Sequence, residues 1–145
     1  MKLTDFTDYS LRVLIYLAAT PGRRATIAQI AKAYGVSENH LTKVVHFLGR
    51  QHWVETLRGK GGGMLLARDP AEIRLGMVVR DTEGVARPAE CFDDDGACAI
   101  DGVCRLKDVL QESVDAFYAV LDRYSLADIT RNRQLLGRVL MIQPA

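Results

Sequence analysis

The hexapeptide Arg58-Gly-Lys-Gly-Gly-Gly63 constrains this chain more than any other stretch. Its glycines permit positive φ and the close approach of another surface. Two short runs flank it, Trp53-Val-Glu-Thr-Leu57 before and Met64-Leu-Leu-Ala67 after, and both read as strands. The pattern predicts a β-hairpin with a basic tip. The tip lacks the spacing and the Lys-Ser/Thr ending of a phosphate-binding P-loop, and no strand-to-helix context follows it, so a nucleotide site of that kind is excluded.

Around this hairpin the apolar periods are helical. Leu11, Leu14, Ile15 and Ala18 recur at helical spacing between a polar start at Thr4-Asp5 and a stop at Pro21-Gly22. Thr26-Ile-Ala-Gln29 has the form of a capping box, opening a short second helix with Ile27, Ile30 and Ala31 on one side and its end near Gly35. Ser37 is placed to cap a third helix with a buried stripe of Leu41, Val44, Val45 and Leu48. Its other side reads Glu38, Asn39, Thr42, Lys43 and His46. Two short helices across a tight turn have the outline of a helix-turn-helix, although this segment alone also fits an ordinary helical hairpin with a solvated face. The basic hairpin that follows tips the reading to a winged helix, with Arg58 and Lys60 suited to a DNA backbone.

Asp69-Pro70 is expected to open a fourth helix running through Ile73, Met77 and Val78 to about Gly84. Residues 85–104, with Pro88, Asp93-Asp-Asp95, Gly96 and Gly102, show no apolar period and read as a loop of a length that is usually functional. From Arg105 a long amphipathic pattern runs through Leu106, Val109, Leu110, Val114, Phe117, Tyr118, Leu121 and Tyr124. A helix of that length spans about 28 Å, more apolar stripe than one small core covers, so a partner helix is its natural cover. Ser125 is expected to cap a last short helix through Ile129, and the tail from Arg131 to be partly disordered. The fold class is mainly α with a small β-hairpin. It divides into a winged helix-turn-helix over 1–84, a loop over 85–104, a dimerisation helix and short helix over 105–130, and a tail over 131–145.

Composition narrows the function classes. At 145 residues, with 48% apolar and 26% charged residues, the chain matches one ordinary domain rather than a disordered or coiled-coil-only protein. A net charge of +1 hides an asymmetry: residues 1–80 carry 12 Lys+Arg against 6 Asp+Glu, and residues 81–145 carry 7 against 12. Only the first part is suited to a polyanion, although such a charge is also common in domains that bind nothing. The best membrane-span candidate, Leu11 to Ala19, is interrupted by Arg12, so neither an anchor nor a signal peptide is expected and the chain is assigned to the cytoplasm.

All three cysteines fall within fourteen residues, as Cys91-x6-Cys98-x5-Cys104. Zinc sites usually show closer cysteine pairs and four protein ligands, whereas soft thiolates in a glycine-containing loop suit an iron-sulfur cluster. A 4Fe-4S cluster is preferred, with 2Fe-2S as the alternative. Three thiolates on four irons leave one iron without a cysteine. Idle thiols and a dithiol switch are the competing readings. His40, His46 and His52 lie in or just after the third helix and do not complete the ligand set.

Taken together, Leu3-Thr-Asp-Phe-Thr-Asp-Tyr9, Ser37-Glu-Asn-His-Leu-Thr-Lys43, Arg58-Gly-Lys-Gly-Gly-Gly63, Leu66-Ala-Arg-Asp-Pro-Ala-Glu-Ile73, the three-cysteine loop and Cys104-Arg-Leu-Lys107 resemble a family of bacterial regulators over about residues 1–130. This is the winged-helix iron-sulfur regulator family that contains IscR, and the likeness is to its nitric-oxide-sensing repressors. The resemblance implies a non-enzymatic homodimer that binds double-stranded, palindromic operator DNA and releases it when nitric oxide attacks the cluster. It implies Cys91, Cys98 and Cys104 as ligands, with Asp8 of the partner subunit as the fourth. IscR-like members use a His shortly after the last cysteine, where this chain has Arg105, Leu106 and Lys107. On this reading Ser37, Glu38, Asn39, His40, Thr42 and Lys43 face the major groove while Arg58 and Lys60 follow the backbone or minor groove. An IscR-type sensor of iron-sulfur supply and a small electron-transfer protein are the alternatives.

Overall fold

A computed structural model describes residues 2–93 and 98–142. Asp94, Asp95 and Gly96 of the acidic loop and the end of the tail, residues 143–145, lie outside them. The order is α1 (Asp5–Ala19), α2 (Ile27–Tyr34), α3 (Glu38–Arg50), β1 (Val54–Leu57), β2 (Gly63–Leu66), α4 (Leu75–Glu83), a 3-10 turn (Glu90–Phe92), α5 (Arg105–Asp122), α6 (Leu126–Ile129) and α7 (Arg133–Val139).

The core is built on α1, against which α3, α4, α6 and α7 pack. Val13, Leu14 and Leu17 of α1 meet Ile30, Leu41, Val44, Leu48, Trp53, Ile73 and Val78 there. The expected stripe on α1 is therefore rotated: Leu14 and Ala18 are buried, but Leu11 and Ile15 are only half-buried at its margin. A helix enclosed from several sides buries a broader arc than one amphipathic stripe predicts. Two buried hydroxyls at its turns are satisfied locally, as Ser10 Oγ donates to the Phe6 carbonyl at 2.7 Å and Thr20 Oγ1, at the C-cap, to that of Tyr16 at 3.0 Å.

The capping box of α2 is present on both sides, Gln29 N–H to Thr26 Oγ1 at 3.2 Å and Thr26 N–H to Gln29 Oε1 at 2.9 Å. α3 buries Leu41, Val44, Val45 and Leu48 as expected. Ser37 occupies the N-cap position but its side chain makes no capping hydrogen bond. β1 and β2 pair antiparallel in the register Val54–Leu66 through Leu57–Gly63.

α4 begins at Leu75, later than expected. Asp69 Oδ1 accepts the Ala71 N–H at 2.8 Å in a tight turn around Pro70, and the chain then runs extended to pair Arg74 with Ser125. The Leu126 N–H reaches the Ile73 carbonyl at 2.8 Å and the Leu75 N–H that of Tyr124 at 3.0 Å. These residues dock α6 instead of lengthening α4. Met77 is accordingly exposed, and Val78 and Val79 form the buried face. α6 has its own capping box through Ser125 and Asp128. The tail also departs from expectation, since residues 133–139 form α7 and Leu140 is buried in the core beside α1. Among the described residues no helix is long and apolar enough to cross a membrane.

Candidate nucleic-acid interface and cysteine segment

Burial of four apolar side chains at helical spacing fixes which side of α3 meets solvent. Ser37, Glu38, Asn39, His40, Thr42 and Lys43 are all exposed, as are His46 and Arg50 further along. Two of them are already engaged. Thr42 Oγ1 donates to the Glu38 carbonyl at 2.8 Å, leaving its lone pairs free to accept, and the His40 ring stacks on Tyr9 of α1 with centroids 6.3 Å apart. Glu38, Asn39 and Lys43 point into solvent and offer acceptor, mixed and donor chemistry in turn.

The wing is held at its base by a strand residue that carries no signal in the sequence. Ala25, between α1 and α2, pairs with Met64, its N–H donating to the Met64 carbonyl at 3.0 Å and its carbonyl accepting in return at 2.8 Å. A single alanine between Arg24 and Thr26 does not read as a strand. This pairing requires Gly63, whose φ is +139° and where a Cβ would stand 2.8 Å from the Ala25 carbonyl oxygen. The exposed Arg58 and Lys60 thus lie on a hairpin tied both to the helix-turn-helix and to its own partner strand. Exposed polar α3 and a basic wing on one rigid body can meet a major groove and its flanking phosphates.

The cysteines follow α4 in the chain. Cys91 sits half-buried in the 3-10 turn, Cys98 is exposed, and Cys104 is half-buried immediately before α5. None is in a disulfide. Among the described residues the structure does not gather three or more His, Cys, Asp or Glu side chains into a metal-holding group. Ion pairs brace the segment at both ends, Arg87 to Asp93 and Lys107 to Asp101, each at 3.1 Å.

Asp8 stands on α1, half-exposed, with Oδ2 2.8 Å from Arg12 Nη2. Arg12 lies over the rings of Tyr9 and Tyr34, at 5.9 and 5.6 Å. Burial, opposed by the Arg12 charge, pushes the Tyr34 phenol up to about 12, so it stays neutral at physiological pH. One turn before Asp8, Thr4 donates through both its amide and its hydroxyl to Glu83 at the end of α4, each at 2.8 Å. Partial burial works to raise Glu83, but hydrogen bonds from Thr7 and Thr4 outweigh it and leave the carboxyl below its ordinary value. The start of α1 is thereby fastened to the point where the cysteine segment begins.

α5 leaves most of its apolar stripe without a partner. Only Tyr118 is buried, turned inward under the Arg80 guanidinium at 4.3 Å. Leu106 and Val109 are 61% and 55% exposed, with Leu110, Val114, Phe117 and Leu121 half-buried. Tyr118 therefore belongs to the chain's own core and not to the outward face.

Residues 3–132 match the Rrf2 family, described as iron-dependent transcriptional regulators. The chain is 50% identical over 145 residues to a Bacillus subtilis protein described as the HTH-type transcriptional regulator NsrR, covering 99% of each. It is 43% identical to the Halalkalibacterium halodurans protein of the same description, covering 99% of this chain and 100% of the relative. Among solved structures, T. potens IscR superposes with a TM-score of 0.74 at 27% identity over 91% of this chain and 88% of its own. CymR of B. subtilis, described as a global cysteine regulator, superposes at 0.66 with 28% identity over 91% of this chain and 98% of its own.

Proposed function

The chain belongs to the Rrf2 family of transcriptional regulators, and from that membership we propose that it is a nitric-oxide-responsive repressor, a cytoplasmic homodimer that holds operator DNA while an iron-sulfur cluster is bound. The observation that carries this reading is the position of the thiols: all three are free and lie on the one segment that joins the DNA-reading body to α5, whose N-terminal apolar stripe is exposed.

The donor set fits an iron-sulfur cluster in chemistry, since three soft thiols, half-buried or exposed and outside any disulfide, are available for deprotonation. Cys91, Cys98 and Cys104 would hold it, with Asp8 of the partner subunit as the fourth ligand. When bound, the cluster supplies iron that reacts with nitric oxide. Cys91 follows α4 and Cys104 is the residue before α5, so a centre held by both fixes the two helices relative to each other. α4 bonds α1 through Thr4 and Glu83, and α5 presents the face for the second subunit. The spacing of two recognition helices, about 34 Å for successive major grooves, therefore depends on the segment over 85–104. Asp8 in the monomer is held by Arg12, so ligation by Asp8 exchanges that ion pair for a bond across the dimer.

On α3, Glu38, Asn39, His40, Thr42 and Lys43 face the bases, Ser37 the helix entry, and Arg58 and Lys60 the phosphates. The functional boundaries follow as 1–84 for DNA reading, 85–104 for sensing and 105–130 for dimerisation. Anaerobic purification with an absorbance spectrum and iron count, followed by nitric oxide titration of an operator complex, tests the reading. Each cysteine-to-alanine variant is expected to lose the iron and operator binding together. Asp8→Ala is expected to keep iron with an altered spectrum and a faster response. Iron-free protein that binds the operator as tightly as loaded protein would overturn the sensing mechanism.

A further inference from the structure

Trp53 is the chain's only tryptophan and is 2% exposed. It stands where the end of α3, the base of the wing and α4 meet. Its amide N–H donates to the Leu48 carbonyl at 2.9 Å, at the end of α3, and its own carbonyl accepts from Ala67 N–H at 3.0 Å, where β2 leaves the wing. Its indole N–H donates to Asp81 Oδ2 on α4 at 2.9 Å, and the Arg68 guanidinium covers the ring at 4.6 Å. A buried indole N–H needs an acceptor, yet this one comes from an exposed carboxylate on a different element. Asp81 begins a run of three residues that each bond another element: Thr82 accepts from Thr7 Oγ1 at 2.8 Å, and Glu83 accepts from Thr4.

We propose that Asp81 is a positioning residue of the DNA-reading surface, which through the indole N–H of Trp53 fixes the base of the wing and the end of α3 on α4. The last turn of α4 then ties the wing, α3 and α1 to the residue at which the cysteine segment starts. The inference rests on the reading of α3 and the wing as the DNA-reading surface, and the test separates the two. A contact that merely satisfies a buried donor would alter overall stability alone. A positioning contact alters wing mobility and DNA affinity through Trp53.

The wing tip carries its own reporter, because Arg58 and Lys60 are trypsin sites. With the full chain, tryptic cleavage after these two residues is followed by mass spectrometry, beside affinity for random-sequence duplex DNA at low salt, which engages phosphate contacts. Asp81→Ala is expected to speed wing cleavage and weaken DNA binding, each about tenfold, as befits loss of a charge-assisted hydrogen bond. Asp81→Asn, which keeps an oxygen acceptor, is expected to stay within about twofold of the parent. Trp53→Phe removes the indole donor together with part of the buried ring and so carries a packing cost of its own, but adding Asp81→Ala to it is expected to change wing cleavage and DNA affinity no further. Wild-type cleavage in Asp81→Ala, or additive effects in the double variant, would overturn the proposal. So would faster cleavage with unchanged DNA affinity. Faster cleavage in a protein whose parent binds no DNA would uphold the positioning of the wing and defeat the DNA reading instead.

Discussion

Replacing Gly63 with alanine isolates the strand pairing that holds the wing. The substitution has two costs. At φ +139° an L residue is strained by about 1–3 kcal/mol. The new Cβ would also stand 2.8 Å from the Ala25 carbonyl oxygen, a backbone atom that moves only if the bridge to Met64 opens. That bridge consists of two hydrogen bonds of 2.8 and 3.0 Å, each contributing about 0.5–1.5 kcal/mol net. Together these give roughly 2–6 kcal/mol. Gly61 is the control: its φ is +76° but an added Cβ meets nothing within 4 Å, so only the left-handed strain of about 1–2 kcal/mol applies. At about 2–4 °C per kcal/mol for a chain of this size, thermal unfolding is expected to drop roughly 4–24 °C for Gly63→Ala and roughly 2–8 °C for Gly61→Ala, the larger drop falling on Gly63→Ala. DNA affinity is expected to fall with the first more than with the second. Equal melting temperatures in the two variants would refute the claim that Ala25 anchors the wing.

Val109→Glu on the exposed side of α5 is expected to convert dimer to monomer in sedimentation and abolish operator binding while leaving the circular dichroism of the fold intact. Phe117, whose ring packs edge-on to Tyr118 at 5.3 Å, is expected to lose stability as well when charged. Arg58→Ala with Lys60→Ala should weaken binding to all sequences and lower the salt slope by about 1 for each phosphate that is no longer neutralised, measured by anisotropy across a salt series. Asp128 is held at about 2 by hydrogen bonds from the Ser125 amide and hydroxyl and from Arg131, against an ordinary 3.8. A carboxyl depressed on folding stabilises fully above its unfolded value and loses that contribution as pH falls through the folded one. Acid titration of Asp128→Asn should therefore show a flatter loss of stability between about pH 4 and pH 2 than the parent.

What the sequence disclosed is what depends on near neighbours. The α3 stripe and the Thr26-Gln29 box are set by residues three and four apart, and both stand in the structure as read. The clustering of Cys91, Cys98 and Cys104 and the basic wing were equally legible, because spacing and residue type carry them. What escaped depends on distant partners. Ile73 and Arg74 are extended because Leu126 and Ser125 pair with them, and α7 orders because α1 offers Leu140 a place in the core. Ala25 becomes a strand residue only beside Met64, and the tryptophan at 53 gives no hint that its acceptor lies at Asp81. The partner of Asp8 within its own chain, Arg12, was one helical turn away and readable in principle.

The attachment of α5 has a mechanical consequence. Its contacts with its own chain concentrate near its C-terminal end: Arg80 grips Asp122 with two bonds of 2.7 Å, lies over Tyr118, and the strand-like pairing of Arg74 with Ser125 follows directly. The N-terminal turns, with Leu106 and Val109, stand out from the body. Such a helix is a cantilever clamped at one end. Its free part, from Arg105 to Phe117, is about 20 Å long, so a tilt of one degree at the clamp displaces Cys104 by roughly 0.3 Å. Conversely, half an ångström of movement around the thiols is geared down to a small rotation at α4, applied to the very helix from which the wing is held.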